Sequence, residues 1–118
     1  MSQNFQPGDF LIFQIESGYG LLRLLNIEQT ADDTIWHLAS YREMFPDIES
    51  ADTAIENSAS LTIDIPHLAL TTRAFEATQV ARMKNKTLSD EELKSFEDWK
   101  NSDRDVSDRS VRLMLGLR

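Results

Sequence analysis

Three apolar runs separated by short polar turns fill the stretch from Phe10 to Tyr41, a rhythm that antiparallel strands joined by tight connections satisfy most directly. Pro7-Gly8-Asp9 is a turn signal placed immediately before the first run. From Phe10 to Ile15, Leu11, Phe13 and Ile15 share one face, while Gln14 and Glu16 share the other. Phe10 and Ile12 make the first half apolar on both faces, which predicts a strand covered on both sides. Ser17-Gly18 supplies a tight hairpin connection. Tyr19 to Glu28 reads as the return strand, with Gly20 inside it marking a bulge or a bend. After the polar turn from Thr30 to Asp33, Thr34 to Tyr41 is rich in β-branched and aromatic residues and completes a three-stranded meander.

Beyond Tyr41 the pattern changes. Phe45-Pro46 interrupts the sheet, with Pro46 suited to a first helical turn. Ile48, Ala51 and Ile55 recur at helical spacing, with Asp47, Glu49 and Asp52 near the end where the helix dipole favours acids. Leu61 to Ile65 alternates and predicts a strand ended by Pro66; His67 to Phe75 carries no decisive period. Gln79 to Met83 suggests another short strand. Ser89-Asp90-Glu91-Glu92 has the form of a capping box, in which the Ser hydroxyl meets the amide three residues on and the Glu reaches back. It predicts a helix from Asp90 to Lys100 whose core stripe is Leu93, Phe96 and Trp99. In the tail, Val111, Leu113, Leu115 and Leu117 share a parity that favours a closing strand, with a short helix ended by Gly116 as the alternative. At 118 residues the chain reads as one domain, sheet-rich over 1–83, with the capped helix and closing strand over 84–118.

The composition bounds the chemistry. With no cysteine there are no disulfides, thiolate metal sites or cysteine nucleophiles, in keeping with a reducing compartment. The first residues lack the basic and apolar regions of a secretory leader, and no apolar run reaches the roughly 18–20 residues of a membrane span, so the expected location is cytoplasmic. The net charge of −8 arises entirely before Lys84: residues 1–83 hold 12 acids against 4 bases, and residues 84–118 hold 8 of each. Between Glu28 and Glu56, eight acids face Arg42 alone. Such a balance disfavours nucleic-acid backbones and steers basic proteins toward the domain. The candidate partner-binding residues are therefore Glu28, Asp32, Asp33, Glu43, Asp47, Glu49 and Asp52, with Trp36 as an aromatic anchor if its ring is exposed.

No catalytic constellation is legible. The four glycines, at 8, 18, 20 and 116, form no phosphate-binding loop or nucleophile elbow. His37 falls mid-strand and His67 follows Pro66; neither has a partner at metal-ligand spacing, and each reads as a packed or backbone-satisfying side chain. Asp103-Arg104-Asp105-Val106-Ser107-Asp108 places oxygens at alternate positions, but Asp108 stands where a calcium loop needs Gly and Met114 where it needs Glu. The expectation is a non-enzyme with no metal and no cofactor.

Gly8-Asp9, Phe10, Ile12, Gly18-Tyr19-Gly20 and Arg23 together resemble the opening hairpin of SH3-like β-barrels, chiefly bacterial polymorphic-toxin immunity proteins, with a similar pattern in the RNA-polymerase-binding domain of CarD-like regulators. The resemblance spans about twenty residues, and Leu21-Leu22 stands where the immunity pattern has a second Gly-Arg pair. It implies an α+β fold, a bent antiparallel sheet or small SH3-like barrel with two packed helices. The functional expectation is a protein-binding domain for a basic partner, of immunity-inhibitor type. The alternatives are a transcription-associated adaptor on RNA polymerase and a small carboxylate-using enzyme. An unpaired sheet edge would also allow a homodimer.

Overall fold

The computed structural model describes residues 4–115. Strands β1 (Asp9–Ile15), β2 (Gly18–Gln29) and β3 (Thr34–Phe45) form the expected meander, followed by helix α1 (Ile48–Glu56) and a single 3₁₀ turn (Ser58–Ser60). Then come β4 (Ile63–Thr71), α2 (Thr72–Thr78), β5 (Ala81–Asn85), α3 (Asp90–Lys100) and the four-residue α4 (Val111–Met114). The sheet is fully antiparallel in the order β4-β3-β2-β1-β5. The fold is α+β, as the sequence indicates. The sheet is open: β4 and β5 are its two edges and do not pair, so it is not a closed barrel.

Side-chain parity along the strands divides the core in two. Leu11, Phe13, Leu22, Leu24, Leu38, Leu68 and Leu70 pack with Ala74 and Phe75 of α2 and Val111 of α4. On the other face, Leu25, Ala39 and Ala69 meet Phe96 and Trp99 of α3, while Phe10, Leu21 and Tyr41 meet Ile55 of α1. The central strands are thus covered on both sides, which is why Phe10 to Phe13 is apolar without alternation.

Gly20 lies where β2 and β3 shift register, and a Cβ there would overlap the ring of Phe13. Gly8 takes a positive φ of 96° and shares backbone hydrogen bonds with Leu24 and Lys86, so the Gly8-Asp9 pair fastens the start of β1 to both neighbouring segments. Asp9 is buried and accepts hydrogen bonds from the Gln6 amide (2.7 Å) and Asn85 Nδ2 (2.8 Å). Both helix starts read from the sequence are capped. Asp47 accepts from the Ser50 amide, and Ser89 and Glu92 form the reciprocal box.

Several expectations are corrected. The hairpin turn is Glu16-Ser17, with Gly18 already in β2. Pro46 precedes the cap of α1 instead of entering its first turn. Pro66 does not end the fourth strand: β4 continues to Thr71, because it is an edge strand where a missing N–H is tolerated, and a register shift absorbs the proline between the Leu38–Leu68 and Ser40–Ile65 pairs. The undecided stretch after it holds the end of β4 and a third substantial helix, α2, capped by Thr71 and closed by Gln79 in the left-handed conformation. The last strand is Ala81–Asn85 instead of Gln79–Met83. Among the described residues no closing strand forms. Residues 111–114 form α4, because the parity of Val111 and Leu113 also fits a helical turn in which Val111 is buried and Leu113 is exposed. Gly116, Leu117 and Arg118 lie outside the described residues.

Candidate functional site

On the α1/α3 face a cleft of about 630 Å³ lies over β2 and β3, walled by the 3₁₀ turn and the start of β4 on one side and by α3 on the other. Arg23, Leu25, Ala39 and Tyr41 come from the central strands, and Lys86 and Glu92 come from the β5–α3 connection and α3. Leu21, Arg23 and Leu25 share the face that packs toward these helices, so strand parity turns a guanidinium inward among leucines.

Arg23 is 2% exposed. Its Nη2 donates to the carbonyls of Lys86 (3.1 Å) and Thr87 (3.3 Å), and the group lies 4.1 Å from the centre of the Phe10 ring. Glu92 Oε2 stands 3.4 Å from Nε, an ion pair without hydrogen-bond geometry. Nε and Nη1 are buried with no hydrogen-bond partner among the described residues. Native proteins rarely leave buried donors in this state, and an unpaired donor of a charged group is among the costlier cases. Tyr41 stacks on Phe10 at 6.0 Å, and burial pushes its phenol up to about 12, so it stays protonated. The Lys86 ammonium bonds the Ile55 carbonyl and Ser58 Oγ, closing the C-terminal end of α1.

A second cluster lies elsewhere on the same face. His37 is fully buried, packed against Phe96 and Trp99 at ring-centre distances of 4.5 and 4.6 Å. Its Nδ1 is 2.9 Å from His67 Nε2, and its Nε2 is 3.1 Å from Glu28 Oε1. Glu28 Oε2 accepts from Arg104 at 2.6 Å, and the Arg104 guanidinium lies over Trp99. The result is an unbroken chain Arg104–Glu28–His37–His67. Among the described residues no three His, Asp or Glu side chains converge as a metal cluster.

The acids singled out in the sequence do not form one patch. Glu28 is engaged by His37 and Arg104. Asp32 and Asp33 are exposed in the β2–β3 turn, where Asp33 bonds the Thr34 amide. Glu43, Asp47, Glu49 and Asp52 lie at the opposite end of β3, up to about 33 Å away along an extended strand. There Glu43 accepts from the Thr62 amide, Asp47 caps α1, and Asp52 pairs with Lys84 at 3.4 Å, which also meets Glu56. Glu49 is exposed. Trp36 is partly buried, stacked on Phe75 at 4.0 Å with its indole N–H on Thr72 Oγ1.

Sequence reasoning passed over Arg23, Tyr41 and Lys86 as site residues and did not join the two histidines. A signal existed for Arg23: it is the one charged residue in Leu21-Leu22-Arg23-Leu24-Leu25, a run read as strand. The histidines are 30 residues apart, and only the β3–β4 register, which sets His37 opposite Ala69, makes them diagonal neighbours. The chain matches no family model, no curated protein and no solved structure.

Proposed function

We propose that this is a non-catalytic protein-binding domain that receives a basic partner at the corner between β3 and α1, in the manner of an immunity-type inhibitor. One observation carries the reading. Residues 43–52 include no base, and with Asp52 paired to Lys84 they present Glu43, Asp47 and Glu49 around Met44 and Ile48, which are 46% and 51% exposed. An apolar centre with a charged rim is the composition of a protein interface, and the acids select a partner of opposite sign. The hairpin that carries Gly8-Asp9 and Gly18-Tyr19-Gly20 supports the immunity branch through its resemblance alone.

The test is capture of bound proteins from the source lysate by wild-type protein and by the Met44→Asp and Glu49→Lys variants, each washed at low and high salt. A basic protein that is held by the wild type, released by salt and lost from both variants supports the reading. Binding indifferent to salt and to both substitutions removes it.

The enzyme alternative has one observation in its favour, the cleft with convergent polar groups. Against it, the Glu92 carboxylate is committed to the Ser89 amide (2.9 Å) and to Arg23, and so is not free to act as a general base. Among the described residues no helix is long and apolar enough to cross a membrane.

A further inference from the structure

We infer that the cleft beside α3 receives one large aromatic side chain of the basic partner, carried on a short segment with lysine or arginine on either side of it. The inference rests on the reading of the neighbouring corner as the seat of a basic partner, and it specifies which part of that partner enters the domain.

The first argument is continuity. Glu43, an acid of the corner, accepts from the Thr62 amide at 2.9 and 3.0 Å, and Thr62 stands between Leu61 and Ile63, which both wall the cleft. Tyr41, two residues before Glu43 on β3, lies opposite Ile63 in the β3–β4 pair and forms part of the cleft floor. Ile63 is 41% exposed. A partner seated on Glu43 is therefore already at the mouth of the cleft.

The second argument is charge. Both cations at the cleft are spent within the domain. Arg23 is buried, with the Glu92 carboxylate and the carbonyls of Lys86 and Thr87 beside it, and the Lys86 ammonium bonds the Ile55 carbonyl and Ser58 Oγ. Glu91, on the α3 wall, is exposed and has no hydrogen bond or ion pair among the described residues. Glu43 and Glu91 thus leave an acid at each wall, and cations on either side of an inserted residue complement them.

The third is the interior. The volume of about 630 Å³ accommodates a large side chain, and Leu25, Ala39, Leu61, Ile63 and Pro66 give it apolar walls. Aromatic side chains are the anchors that such pockets hold best at protein interfaces. Tyr41 is 6% exposed, and its hydroxyl makes no hydrogen bond among the described residues. Arg23 Nε and Nη1 are the only fully enclosed side-chain donors or acceptors there without a partner, so the Tyr41 hydroxyl is open to the cleft that its residue lines. It can donate to a backbone carbonyl of the inserted segment.

The test titrates the full chain with the end-blocked peptide Lys-Lys-Trp-Lys-Lys at low and high salt, with backbone amides followed by NMR. The controls are Lys-Lys-Gly-Lys-Lys, Glu-Glu-Trp-Glu-Glu and N-acetyltryptophanamide. The expected result is saturable binding of the first peptide, roughly tenfold or more tighter than any control at low salt, with shifts centred on residues 58–63 and 87–95. Glu91→Gln, at an exposed position, should weaken that peptide about threefold at low salt and leave it unchanged at high salt. Equal affinity for N-acetyltryptophanamide assigns the cleft to a small molecule, and self-association that produces the same shifts assigns it to a second copy of the chain; either overturns the inference. So do shifts centred elsewhere, a control peptide that binds as tightly, or no binding at all. The corner is judged separately, by capture with the Met44→Asp and Glu49→Lys variants: a partner lost from both while the peptide ignores the cleft removes this inference alone.

Discussion

His37 donates through Nε2 to the Glu28 carboxylate and accepts through Nδ1 from His67, which makes the two imidazoles a directional pair. The direction follows from the acceptor at one end: an ionised carboxylate can only accept, so the His37 proton sits on Nε2, and the bare Nδ1 must be met by an N–H of His67. The pair is neutral in this arrangement. Burial lowers the affinity of His37 for a second proton, and Arg104 and Lys100 reinforce that, outweighing the pull of Glu28. Burial and then the neighbouring His37 lower His67 to about 4.

Stability should therefore depend on pH in a defined window. In the unfolded chain each imidazole takes its proton near pH 6.5. Between 6.5 and about 4 the unfolded state holds more protons, so the contribution of the pair is complete above 6.5 and is lost as pH falls toward 4. The loss attributable to His67 is on the order of 3 kcal/mol. Denaturant midpoints measured from pH 7.5 to 4.5 should fall steadily, and His67→Phe should flatten the curve. An unchanged midpoint over that range would show that the imidazoles are not held neutral.

Glu28→Ala should cost about 1–3 kcal/mol, because it strands the buried Nε2–H of His37 without an acceptor. Burial raises the Glu28 carboxyl, but its hydrogen bonds to His37 and Arg104 outweigh this and hold it below its ordinary value, so a further loss of stability appears only below about pH 4.5. Arg104→Ala should cost less, since that side chain is half-exposed. Equilibrium unfolding of the two variants, and of the double variant, separates the contributions.

Gly20→Ala should destabilise by about 1–3 kcal/mol through collision of the new methyl group with the Phe13 ring. Phe13→Leu in the same background should recover part of the loss. If the two changes are additive in thermal unfolding, the contact is not what excludes a side chain at position 20.

Ser89→Ala removes one half of the capping box and should cost about 1 kcal/mol. Hydrogen exchange localises the effect: the Glu92 amide should lose protection more than that of Phe96. A uniform loss along α3 would mean that the helix opens only with the whole domain.

How far the fold is legible in the sequence depends on the range of the interaction involved. The meander and α3 are readable because their signals are local: strand alternation, Gly at a bulge, and a cap that meets its partner three residues on. The extension of β4 through Pro66 is not, because proline is tolerated only on an edge and edge position is a property of the assembled sheet. The tail misleads for a related reason. Val111 and Leu113 satisfy a period of two, but it is the buried hydroxyl of Thr78, accepting from the Val111 amide at 3.1 Å, that anchors the start of α4 under α2.

The sequence by itself determined the α+β class, three of the strands, both capped helices and the concentration of acids before Lys84, since each depends on neighbours within a few residues. Only the tertiary structure decided which of those acids are left to a partner, for Glu28 is consumed by His37 and Arg104, and Asp52 is paired with Lys84. It also decided that Arg23 meets the carbonyls of Lys86 and Thr87, more than 60 residues away, at the wall of a cleft. The physical reason is that strand register and helix docking are settled by burial of the whole apolar surface at once, so polar groups distant in sequence converge as a consequence of packing and leave no local trace.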